Sequence, residues 1–132
     1  RLFQVYGPND LSFRLVPTAI DKKNIKLKNP YNVTDMIYYK DLNNLIFKLI
    51  KSKKINKGKF NAGCGKPINL LNLVKKIIRL KNNNSSLNFS KNVLKEKTFS
   101  FADINDLKKK LSWKPDYDIN SGLKELINER KV

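Results

Sequence analysis

Histidine is absent from the 132 residues, and cysteine occurs once, at Cys64. The first absence excludes a Ser-His-Asp triad and any histidine-containing zinc site within these residues. The second excludes an intrachain disulfide. No apolar run approaches the length of a membrane span, and no signal-peptide pattern is visible. Arginine is also scarce, with 4 Arg against 24 Lys. The formal charge of +17 invites a nucleic-acid reading, yet direct base readout leans on arginine forks. The lysines are spread along the chain rather than gathered in one block. They read as a solvated surface with some attraction for phosphate-bearing ligands. The glycine fingerprint of a dinucleotide cradle, G-x-G-x-x-G after a strand, does not occur.

What is present begins with RLFQVYGPND, residues 1–10. Leu2, Phe3, Val5 and Tyr6 make an apolar, β-favouring run that stops at the turn formers Gly7-Pro8-Asn9-Asp10. Such a run suits a strand buried on both faces of a parallel sheet, with a ligand beyond its carboxyl end. Composition alone favours a plainer reading, a core strand and a surface turn. The chain opens inside this strand without Met, and we expect a piece of a longer protein.

The spacing predicts a short helix over Leu11–Lys23 with Ser12 as N-cap and Pro17 in its first turn. A strand at Ile25–Leu27 and a turn at Asn29–Asn32 follow. Asp41 is expected to cap a helix over Leu42–Lys51, whose stripe is Leu42, Leu45, Ile46, Leu49 and Ile50. Lys59–Gly65 reads as a strand turning at glycines, and its lone G-x-G is weak as a phosphate cradle. Asn69 suits the N-cap of a helix carrying Leu70, Leu73, Val74, Ile77 and Ile78. A brief strand at Leu87–Phe89 precedes two further helices. Asp103 and Asp106 are placed to form a capping box for the first, and Ser121 stands at the start of the second.

Several of these stretches resemble the extended short-chain dehydrogenase/reductases, the NAD-dependent nucleotide-sugar epimerases and dehydratases. RLFQVYGP is similar to the family's R-x-F-N-x-Y-G-P, VTDMIYYKD to R-D-F-I-Y-V-x-D, and KFNAGCG to Y-N-x-G-x-G. TFSFADINDLKKKLSW is similar to A-D-x-x-K-x-x-x-x-L-G-W, and Ile119–Arg130 to the terminal L-x-x-G-L-x-x-x-I helix. The resemblance covers essentially the whole chain, with its motifs in order.

It implies an α/β fold: the C-terminal part of an NAD(P)-binding, Rossmann-type enzyme with a small mixed α+β substrate-binding lobe. Residues 1–10 would be the last Rossmann-sheet strand and substrate loop, and 11–132 the lobe. The glycine fingerprint and the catalytic Y-x-x-x-K pair would lie upstream of Arg1. No catalytic residue is therefore assigned here, and neither Tyr38 nor Tyr39 has the spacing to Lys40 that the pair needs.

By resemblance, the backbone of Phe3 approaches NAD (or NADP), and Gln4, Arg14, Leu15, Leu27, Thr34 and Lys95 contact a nucleotide-sugar. Arg14 suits a diphosphate because a guanidinium donates two parallel hydrogen bonds. Without the resemblance it reads equally as a solvated helix-end charge, and Leu27 as plain core. Thr34 stands where relatives usually carry a phosphate-binding Arg. Lys95 substitutes for another arginine. The expected protein is a cytoplasmic enzyme acting through a 4-keto sugar, inactive as this chain alone. It would have no nucleic-acid, membrane or metal partner, and a homodimer would form through the upstream part. The competing readings are a small basic nucleic-acid-binding module and a non-catalytic scaffold derived from the same lobe.

Overall fold

The run Val33-Thr34-Asp35-Met36-Ile37-Tyr38 builds the central strand of the computed structural model, which describes residues 1–53, 57–82, 84–90 and 97–130. In chain order the elements are β1 (Gln4–Tyr6), α1 (Leu15–Asp21), β2 (Asn24–Leu27), β3 (Val33–Tyr38) and α2 (Tyr39–Lys51). Next come β4 (Pro67–Asn69), α3 (Leu70–Lys81), β5 (Ser86–Phe89), α4 (Asn105–Leu111) and α5 (Ile119–Glu129). A three-stranded sheet runs β1-β3-β4, with β1 parallel and β4 antiparallel to β3. A separate pair joins β2 to β5 in parallel, so both sheets bring together strands distant in sequence.

Alternation along β3 divides the interior in two. Met36 and Tyr38 face a cluster of Val16, Ala19, Ile20, Ile25, Leu73, Ile77, Leu123 and Leu126, which α1, β2, α3 and α5 supply. Ile37 faces the other way, into Leu45, Ala102, Ile104, Leu107 and Trp113, from α2, α4 and the loops flanking α4. Gly122 lets α5 approach this sheet closely, since a Cβ there would collide with the Tyr6 phenol.

Two buried carboxylates tie the loops to β3 and α2. Asp35 is fully buried and accepts the backbone N–H groups of Cys64 (2.6 Å), Gly65 (2.7 Å) and Ala102 (3.0 Å). A Cβ at Gly63 would press on Ala102 and on the Asp35 carboxylate, so glycine is what lets the loop close on this group. Asp41 accepts from the N–H groups of Asp116 (2.8 Å) and Tyr117 (3.1 Å). Burial pushes its carboxyl above the ordinary value, and those two bonds pull partly against that.

Several expectations are corrected. The first strand is not buried on both faces: Gln4 and Leu2 are exposed, and β1 lies at one end of its sheet because β3 supplies its ladder partner. The α1 helix starts at Leu15 rather than Leu11. Ser12 does not cap it; Arg14 takes the N-cap position without a side-chain bond, and Pro17 sits in the first turn. Asp41 is no cap either, because α2 already starts at Tyr39 and the carboxylate turns to the 116–117 loop. Asp103 lies one residue before the α4 N-cap, Ile104, and its carboxylate accepts from Asn105 N–H. Ser121 does stand in the first turn of α5, and the cap is Asp118, which accepts from Ser121 N–H at 2.7 Å, a bond that holds its carboxyl below its ordinary value. Lys59–Gly65 forms no strand beyond a single parallel bridge of Ala62 to Leu2. Asn69 does cap α3, but residues 67–69 also form β4, which the sequence does not suggest.

Asn at position 35 would turn one of the acceptor oxygens into a donor facing N–H groups. Asp35→Asn is expected to cost about 3 kcal/mol or more, since charge-assisted bonds to a buried group are lost. Urea unfolding checks this: the midpoint should fall with little change in slope. An unchanged midpoint contradicts the role given to Asp35.

Candidate functional site

Gln4 pairs with Met36 across the β1–β3 ladder, so Gln4, Thr34 and Met36 share one face of the sheet. The α1 helix lies over the same side and brings Arg14 and Leu15 to it. The third wall comes from further along the chain. Val33 donates its N–H to the Thr98 carbonyl (2.8 Å) and accepts from Ser100 N–H (3.1 Å), while Thr98 N–H reaches the Asn32 side chain (3.1 Å). Together these segments enclose a cleft of about 880 Å³.

Arg14 commands the polar part of the cleft. Its Nη2 donates to Gln4 Oε1 at 2.5 Å, and its Nη1 donates to Asp10 Oδ1 at 3.2 Å. Thr34, half-buried, lines the same cleft, as do Leu15 and Phe3. Two of the chain's 4 arginines, Arg1 and Arg14, border this space, and no lysine is among its described lining residues. The cleft lies beside β1 rather than beyond its carboxyl end.

Leu27 is not part of it. The alternation of β2 exposes Asn24 and Lys26 and buries Ile25 and Leu27 in the core, where Leu27 is 3% exposed. Lys95 lies outside the described residues. Sequence reasoning missed Asn32, Thr98 and Ser100 and reached Asp10 only as the end of the Gln4–Asp10 stretch, without a role of its own. Asp10 carried a signal, an acid four residues before a base. Thr98 and Ser100 carried none, because a bridge from Val33 to Phe99 puts them there.

Other candidates for chemistry are already committed. The N–H groups of Cys64 and Gly65 point at the Asp35 carboxylate, so the Gly63-Cys64-Gly65 loop offers those two donors to no phosphate. Phe3 N–H is likewise spent on the Ala62 carbonyl (3.0 Å). These three N–H groups are thus taken up within the chain. Tyr38 donates to Glu125 at 3.4 Å, and Lys40 also pairs with Glu125. Burial, then the Glu125 charge, pushes the Tyr38 phenol up, opposite to what a catalytic base needs. Burial, then Asp35, pushes the Cys64 thiol from its ordinary 9.0 to about 11. No helix among the described residues is long and apolar enough to cross a membrane.

No family model matches the chain. It is 31% identical over 140 residues to the UDP-glucuronate 4-epimerase of Thermodesulfobacterium geofontis, covering 99% of this chain and 42% of the relative. Over 138 residues it is 25% identical to the CDP-abequose synthase of Salmonella typhimurium, covering 96% and 46%. Among solved structures, the UDP-glucuronic acid 4-epimerase of Bacillus cereus, in complex with a fluorinated UDP-glucuronic acid and NAD, superposes with a TM-score of 0.85. The identity there is 22%, over 99% of this chain and 44% of that one. Its relatives and structural neighbours are extended short-chain dehydrogenase/reductases, whose Rossmann-type fold it shares in part. Within them its relatives are the NAD-dependent nucleotide-sugar epimerases and dehydratases. The chain spans less than half the length of the curated relatives it matches.

With the thiol pKa at about 11, Cys64 is about one-thousandth thiolate near pH 8, and thiolate accumulates only as pH rises toward the shifted value. Alkylation of the native protein near pH 8, followed by mass spectrometry, is expected to be slow and to become fast in urea. Rapid stoichiometric labelling without denaturant contradicts this environment.

Proposed function

We propose that this chain is the nucleotide-sugar-holding portion of an NAD-dependent epimerase or dehydratase that works through a 4-keto sugar. Residues 1–10 act as a strand of the dinucleotide-binding sheet and its substrate loop, and residues 11–132 as the substrate lobe. The observation that carries this reading is the Arg14 guanidinium, hydrogen-bonded to Gln4 inside a cleft that Thr34 also lines. Arg14 offers a diphosphate a charged, multidentate donor, Gln4 offers a neutral amide, and Leu15 adds an apolar contact. Thr34 contributes a hydroxyl without charge, so Arg14 bears the larger part of the phosphate recognition.

In such an enzyme NAD supplies the hydride exchange that oxidises and re-reduces the sugar. Its binding, and the proton transfer from the sugar hydroxyl, fall mainly to residues other than those described; Phe3, which lines the cleft, is the one assigned a backbone approach to the cofactor. The names of the relatives suggest uridine- and cytidine-diphosphate sugars as the ligands to try first.

In the whole protein, Arg14→Ala is expected to weaken binding of UDP-glucuronic acid or CDP-glucose by about 1.5–3 kcal/mol, as for a lost charged hydrogen bond. Thr34→Arg is expected to tighten it. Titration calorimetry measures both, and an unchanged affinity in Arg14→Ala rejects the site.

A further inference from the structure

Arg14 meets the cleft with its charge already partnered. Asp10 is the only carboxylate among the described residues that line the space, and Arg1 and Arg14 are the only cations among them. The turn after β1, with Asn9 in the left-handed region (φ 59°), folds the chain so that Asp10 faces Arg14. Its side chain is only 12% exposed. Oδ1 accepts from Leu11 N–H at 2.9 Å and from Arg14 Nη1 at 3.2 Å, so the local backbone as well as the guanidinium fixes the carboxylate.

Any anion that reaches Arg14 therefore also meets a fixed negative charge a few ångströms away. Repulsion between them grows with the charge on the incoming group. A diphosphate esterified at both ends carries one negative charge on each phosphorus. A free terminal phosphate acquires a second as pH rises past roughly 6. We propose that Asp10 is a specificity-determining residue that makes the cleft prefer a doubly esterified nucleoside diphosphate over one with a free terminal phosphate. This rests on the cleft being the nucleotide-sugar site. Its consequence is that a bare nucleoside diphosphate, stripped of its sugar, competes poorly for the enzyme.

The test compares UDP with UDP-glucose, and CDP with CDP-glucose, on the whole protein and its Asp10→Asn and Asp10→Glu variants. Asn keeps an oxygen for Leu11 N–H and removes the charge; Glu restores the charge. Near pH 8, Asp10→Asn is expected to tighten the free diphosphate about tenfold more than the sugar ester, and near pH 5.5 that excess is expected to shrink to about twofold. Asp10→Glu is expected to keep the wild-type discrimination. Equal shifts for ester and free diphosphate, or an excess that does not change with pH, overturn the proposal while leaving the nucleotide-sugar reading intact. If the wild type binds neither member of either pair, the cleft assignment falls, and this inference with it.

Discussion

The Asp35 carboxylate is the point on which the rest of the structure depends. It is a charge with no exposure to water, and it is compensated by three backbone N–H groups rather than by a cation. Those donors come from residues 29, 30 and 67 positions away in the chain. One side chain on β3 thereby fastens the 63–65 loop and the segment leading to α4 against the same strand. Carboxylate is the chemically apt choice, because it accepts from every direction and has no hydrogen to misplace. Asp41 repeats the device a turn later for the 116–117 loop, which leads into the cap of α5.

This arrangement explains how a cleft forms where no single segment could make one. The β3 strand sends Tyr38 to one core and Ile37 to the other, and its amino-terminal half lines the cleft. Thr34 and Met36 line the cleft because they share the face of Tyr38, not because their local sequence marks them. With loops pinned on one face by Asp35, the other face stays open to Arg14 and Gln4.

How far this could be read from the chain depends on the range of the forces involved. The α3 helix was legible because its apolar residues repeat at helical spacing: Leu73, Val74 and Ile77 are fully buried, as their pattern requires, whereas the stripe read on α2 buries Leu45 and leaves Ile46 and Ile50 exposed. Asn69 was legible as a cap because its bond is made three residues away. Asp41 was misread because the same residue type also serves distant amides, and nothing local distinguishes the two uses. The three residues of β4 have no pattern to read; they are a strand only because β3 lies beside them. Leu27 showed its burial plainly in the alternation of β2, and the family resemblance drew it toward a ligand instead. Arg14 and Gln4 were legible by resemblance, whereas Thr98 and Ser100 depend on a bridge between residues 33 and 99.

The parallel pairing of β2 with β5 bears on how the chain reaches this state. Asn24 meets Ser86 across a separation of 62 residues, and Gln4 meets Met36 across 32, so neither parallel ladder can close as a local hairpin. Helical turns form from neighbours and need no such search. On a ribosome, the segment carrying β2 emerges long before its partner exists, and its ladder groups must wait in water or in a chaperone's grip. High contact order of this kind slows the final collapse. The vulnerable interval in the life of this protein is therefore its synthesis, when half-paired strands can find the wrong neighbour.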